Sequence, residues 1–189
     1  MSEAMLIEHC APTMAGLKTG NLFACHERGA ALRECLRGLN RRLGDRGVRI
    51  LPVCRQGERT LLYMYRPALL ARDLRDGRAR AILRARAYPV DHPARCVTEL
   101  SRRLSAGGEF PHEVGLFLGY PAEDVEGFIT HRAQDAKAVG VWKVYGDVEQ
   151  AKRTFALYDK CKRVYRAAYD RMPSLERLVI RGHTAKAEK

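Results

Sequence analysis

The residues able to do chemistry fall into two sets. Cys10 stands just before Pro12-Thr13, and His112-Glu113 lie far downstream in the chain. A thiol beside the start of a helical turn is activated when the helix dipole favours its thiolate, and a neighbouring imidazole then serves as its base. Cys10, His112 and Glu113 are therefore the candidate catalytic set of a thiol-dependent hydrolase or transferase, with Glu113 or Asp124 orienting the imidazole. The second set is Thr13, Lys18, Asn21, Tyr120, Asp124, Lys143 and Tyr145, polar side chains beside apolar runs and the Gly16 and Gly20 turns. Hydroxyls, ammonium groups and turn amides brought together hold an anionic small molecule or cofactor in a polar pocket. The same residues have plainer roles: Cys10 packed as a small hydrophobe, His112 capping a loop, Lys143 snorkelling to a sheet edge, Tyr145 with a wet hydroxyl.

Metal chemistry is not expected. The six cysteines form no CxxC pair, and His9-Cys10 and Cys25-His26, the adjacent Cys/His pairs, lack any zinc spacing. Widely spread free thiols fit core positions in a reducing compartment. No motif selects a particular cofactor. The formal charge of +12, from 34 Lys and Arg against 22 Asp and Glu, favours anionic partners. Nucleic acid is the rival partner, but the sequence carries no RRM, KH or helix-turn-helix signature, and the aromatics of the last helix fall on its apolar stripe. The chain contains no apolar run long enough to span a membrane, and its N-terminus lacks the pattern of a signal peptide, so a cytosolic protein without membrane contact is expected.

The elements that must position these residues follow from periodicity. Glu3 to His9 predicts a short helix stopping before Pro12, which leaves Cys10 at a junction. Asn21–Cys25 reads as a strand. Leu32, Cys35, Leu36, Leu39 and Leu43 recur at helical spacing over 28–43. Val48–Val53 and Thr60–Tyr65 flank Gln56-Gly57-Glu58 as a hairpin, with Pro52 marking an edge or a bulge. Pro67 opens one or two short helices broken near Asp76-Gly77, and Val97, Leu100 and Leu104 mark another helix. Val114–Tyr120 predicts a central strand with His112 and Glu113 at its entrance, and Pro121 starts a helix. Val139–Tyr145 predicts a last strand, and 148–171 a closing helix. The sum is an α+β fold of about five mostly antiparallel strands with helices packed on the sheet, in one domain over 1–181 with a flexible polar tail over 182–189.

Three segments together resemble a known family: His9–Lys18 with Asn21-Leu22-Phe23, then Phe110–Phe128, then Trp142–Asp147. They are similar to the bacterial domain-of-unknown-function family numbered 3793, from about His9 to Tyr165. The resemblance implies a small cytosolic protein with a link to iron or redox metabolism. Relatives tend to carry cysteines before the last strand, where this chain has Asp135-Ala-Lys-Ala-Val139, so a metal or cluster site of that kind is not expected here. Cys-x-Pro-Thr and His-x-Val-x-Leu-x-x-Gly-Tyr also resemble the Cys and His motifs of papain-like peptidases. This chain departs from those peptidases after Cys10, where a turn and a strand replace the long helix.

Overall fold

The computed structural model describes residues 1–182, so the tail expected at 182–189 lies, apart from Gly182, outside the described residues. Its first half runs α1 (Glu3–Met14), β1 (Gly20–Cys25), α2 (Gly29–Gly44), β2 (Arg49–Gln56), β3 (Arg59–Tyr65), α3 (Pro67–Asp73) and α4 (Gly77–Arg84). There follow α5 (Pro93–Ser105), α6 (Val114–Phe117), α7 (Ala122–Thr130), β4 (Ala138–Val139), β5 (Lys143–Val144), α8 (Val148–Arg171) and α9 (Leu175–Leu178). The fold is α+β, as the sequence predicts.

β3 is the centre of an antiparallel sheet ordered β1-β3-β2. Successive side chains of a strand face opposite ways. Leu62 and Met64 therefore enter one core with Ile50, Phe23 and the apolar stripes of α1, α2 and α9. Tyr63 and Tyr65 enter a second core built from α3 to α7. The α2 stripe is Leu32, Leu36, Leu39 and Leu43, with Arg33, Arg37 and Arg41 in solvent on the other side. A third, smaller cluster packs Trp142 and Val144 against Ala151 and Tyr158 of α8.

Pro52 sits on the edge strand β2, where the missing amide costs the ladder least, and the register shifts between Pro52 and Cys54. This bulge turns both Val53 and Cys54 toward the second core. The Val53 carbonyl that leaves the ladder accepts the hydroxyls of Ser101 (2.7 Å) and Ser105 (3.1 Å) from α5.

Three expected elements differ. α1 does not stop before Pro12 but runs through it to Met14, placing Cys10 inside a helix. Proline leaves the Glu8 carbonyl without its helical donor, but Glu8 is exposed to water, while Leu6, Ile7, Cys10, Ala11 and Met14 are buried beyond it. Val114–Tyr120 is no strand: Val114–Phe117 is a single buried helical turn, closed by Gly119 at φ 77°. A short apolar run has no decisive period, and the central place in the sheet is filled by β3. Val139–Tyr145 is not one strand but the turn of a two-stranded hairpin, β4 with β5, in which Gly140 N donates to the Trp142 carbonyl at 3.0 Å. Gly140 lies against the ring of Phe155, with no room there for a Cβ. Among the described residues the expected count of about five strands holds: three fall where predicted, and β4 and β5 stand in for the two expected at Val114–Tyr120 and Val139–Tyr145.

Candidate functional site

The predicted site residues separate into three places. Cys10, Thr13 and Asn21 belong to the packed junction of α1 and β1. Cys10 is wholly buried in the first core, and burial pushes its thiol pKa far up, with Lys18 opposing. Thr13 Oγ1 donates to Asn21 Oδ1 at 2.9 Å. His112 lies instead in the turn before α6, Nε2 at 3.2 Å from Glu109 Oε1 and its ring 5.0 Å edge-on from Phe128. No hydrogen bond joins Cys10 to His112 among the described residues, and they sit in different layers of the fold. The structure does not assemble them as a catalytic pair.

Around His112 two clefts meet. One, of about 1000 Å³, is walled by Arg86, Arg102, Arg103 and Arg132 with Glu109 and Glu113. The other, of about 350 Å³, is walled by Phe128, Trp142, Tyr120, Val125 and Val141, with Lys143 and Asp124 at its polar points. Phe110 and His112 line both. Phe110, Val139 and Val141 are large apolar side chains left exposed at the mouth of the aromatic side. Single exposed apolar groups are ordinary, but three around one opening make a patch that suits an apolar ligand.

Glu113 is buried and holds the cationic wall rather than a ligand. Its carboxylate accepts from the Tyr88 hydroxyl at 2.9 Å and faces Arg86 Nε at 3.4 Å and Arg103 Nη1 at 3.6 Å. Burial first, and the Glu113 charge second, push the Tyr88 phenol pKa well up, so it remains a donor. Arg103 also lies 4.3 Å over the Tyr88 ring. Arg102 and Arg103 share Glu99, which their hydrogen bonds hold at a pKa of about 2. Arg132 alone of the four makes no ion pair or side-chain hydrogen bond with a described residue.

Asp124 and Lys143 organise the aromatic side. The Asp124 carboxylate accepts from Trp142 Nε1 (2.6 Å), Tyr145 N (2.7 Å) and Gly146 N (2.7 Å). Lys143 Nζ donates to the Ala133 carbonyl at 2.6 Å and lies 6.0 Å from the Phe128 ring centre. That carbonyl belongs to a strained corner, where Arg132 and Ala133 take φ of 48° and 64° in succession. Tyr145 stacks on His131 at 5.5 Å, and its hydroxyl is enclosed without a partner among the described residues.

Tyr120 divides this region from the third place. One face stacks on Trp142 at 4.9 Å, and Lys18 Nζ stands 5.1 Å from the ring centre. Lys18 opens into a separate cleft, so Lys18 and Lys143 do not converge on one pocket. The sequence reading missed the four arginines. Arg102 and Arg103 end α5, Arg86 follows α4 and Arg132 follows α7. Basic residues at three helix C-termini are the available signal, since the last carbonyls of a helix attract cations.

These features define an α+β protein whose clefts join a cationic wall to an aromatic one. The chain belongs to the family described as Protein of unknown function (DUF3793), whose model matches residues 6–179. No curated protein and no solved structure matches it. Among the described residues no helix is long and apolar enough to cross a membrane, and no group of three His, Cys, Asp or Glu side chains is placed to hold a metal ion.

Proposed function

We propose that the protein binds an anionic small molecule or cofactor with a flat apolar body, seated across the two clefts that meet at His112. The observation that carries this reading is the shared wall: Phe110 and His112 border both the four-arginine cleft and the Phe128–Trp142 cleft. A phosphate or carboxylate on the arginine side would meet planar, bidentate donors, and an aromatic body would stack on the other side. The corner at Arg132-Ala133 supports the reading, because backbone strain persists where surrounding contacts fix it, commonly at ligand clamps. Lys143 supplies such a contact here. Aromatic phosphates of redox metabolism fall within this ligand class.

Trp142 is the single tryptophan, so its fluorescence reports on the aromatic cleft. Titration with phenyl phosphate is expected to give a saturable change, with inorganic phosphate and phenol each binding at least about tenfold more weakly, since either alone forfeits about 1.4 kcal/mol or more of contact. Arg132→Gln is expected to weaken phenyl phosphate, and Phe128→Ala to weaken both phenol and phenyl phosphate. Flavin mononucleotide, followed by calorimetry, extends the series to a cofactor. Absence of any saturable response to aryl anions, or a response unchanged by both substitutions, sinks the proposal.

A further inference from the structure

On the far side of Tyr120 lies a cleft of about 580 Å³ whose walls include Lys18, Arg72, Asp73, Arg78 and Glu123. Lys18 is only 5% exposed, yet no described carboxylate or carbonyl accepts from its ammonium. A buried lysine ordinarily has such a partner, because an unpaired charge out of water is costly. Its ammonium lies over the face of Tyr120, and a second cation, Lys162 of α8, weakens its hold on the proton. The amine is not sealed in: the enclosed side-chain polar atoms without partners among the described residues are Glu27 Oε2 and Tyr145 Oη. Desolvation, the largest cause, brings the Lys18 pKa down to about 8, so an appreciable share of this amine is unprotonated near neutral pH.

We propose that Lys18 is the amine of a second site, where it condenses reversibly with the carbonyl of an anionic aldehyde or keto acid. The geometry supplies each part: a desolvated amine at the cleft, Arg72 and Arg78, whose pairings with Asp73 and Glu126 an anion would share, and Glu123, which makes no ion pair with a described residue, for the proton. The Lys18 nitrogen bonds to the carbonyl carbon and the carbonyl oxygen gains a proton. The free amine's two protons both leave on that oxygen, one at addition and one, relayed by Glu123, when the carbinolamine expels it as water and leaves the neutral imine. No oxidant or reductant takes part. The aromatic phosphate site on the other side of Tyr120 is not needed for it.

The test traps the imine in the full chain. Glyoxylate at a concentration below that of protein, followed by cyanoborohydride, converts the imine to a stable secondary amine that peptide mass mapping locates. Lys18 is expected to label at least about tenfold faster than the exposed Lys152, because its cleft holds the amine desolvated and beside arginines that would gather the anionic aldehyde. Lys18→Arg, which keeps the charge but forms no imine, should abolish that adduct with the melting temperature little changed. Arg78→Gln should slow glyoxylate but not the neutral aldehyde propanal. Labelling spread over exposed lysines with Lys18 unmodified would overturn the proposal, as would Lys18 labelling at the rate of Lys152. Phenyl phosphate binding in Lys18→Arg separates this site from the one at His112.

Discussion

Asp124 uses its carboxylate on three neighbours rather than on a ligand. Removing it leaves the Trp142 indole and two backbone amides without their acceptor, so Asp124→Ala is expected to cost about 3 kcal/mol or more, read from denaturant melts. Asp124→Asn, which keeps one acceptor oxygen, should cost less, and in both variants Trp142 emission should report a loosened aromatic cleft. Lys18 gives the opposite sign. Its pKa falls from 10.5 to about 8 on folding, so the charge-burial penalty is fully present below about pH 8. Between pH 8 and 10.5 the unfolded chain binds more protons than the folded one, and this penalty fades. Cys10 of α1 opposes the shift and Lys162 of α8 adds to it, while Tyr120 offers only its ring. Lys18→Met is therefore expected to be more stable than wild type at pH 7, by about 2–3 kcal/mol at most, with the gap closing toward pH 10.5. A loss of stability at pH 7 would show that the ammonium is partnered after all. His112, Glu113, Tyr120, Asp124 and Lys143 are all legible in the sequence as site candidates, but divided between two sets that also include Cys10, Thr13 and Lys18, which the fold puts elsewhere. The sequence cannot show that Glu113, Asp124 and Lys143 are occupied by other protein groups, since those partners, Tyr88, Trp142 and Ala133, come together through tertiary folding.

At the scale of elements, the helices whose apolar stripes run three or more turns were legible. α2 and α8 fall where their periodicity puts them, and the Pro52 bulge is where a missing amide belongs. The failures are short segments, where one turn of helix and one short strand bury the same residues. Val114–Phe117 is fixed as helix by contacts that a linear pattern does not hold. The Tyr63 hydroxyl donates to the Phe117 carbonyl at 2.5 Å, and Gly20 leaves room for that ring. Pro12 misleads for a similar reason, because the end of α1 is held from outside. Arg66 is buried and donates to the carbonyls of Thr13 (2.6 Å), Ile180 (2.8 Å) and Arg46 (3.2 Å), as well as to Met14. Arg66→Met should destabilise the protein by about 3 kcal/mol, since buried carbonyls lose their donors, and Arg66→Lys should recover only part of that because an ammonium lacks the planar fork. Ala133→Gly should act in the other direction. Relief of the left-handed φ is worth about 1 kcal/mol, so this variant should melt higher while binding phenyl phosphate less well as the corner loosens.

For the whole molecule, the +12 charge is a long-range field rather than a site. Generic duplex DNA is expected to shift in gel mobility at 20 mM salt and to be released by about 200 mM, the behaviour of counterion exchange without base contacts. Retention at the higher salt, with preference for one sequence, would instead favour a nucleic-acid role. Two cores share the strands β2 and β3, so a deletion in either should be felt by the other. Leu62→Ala and Tyr63→Phe, facing opposite ways, should each lower one common unfolding transition, checked by near- and far-ultraviolet dichroism in parallel. The segment after α9 closes this assembly. Ile180 N donates to Met14 O and Gly182 N to Arg46 O, and Arg66 reaches the Ile180 carbonyl. Residues near the start of the chain thus wait for residues 179–182 before their polar groups are satisfied. During synthesis those residues leave the ribosomal exit tunnel after every other described element, so the α1 layer lacks these partners while the rest emerges. The α1 end is thus closed late, with Arg66 poised for the last described segment to appear.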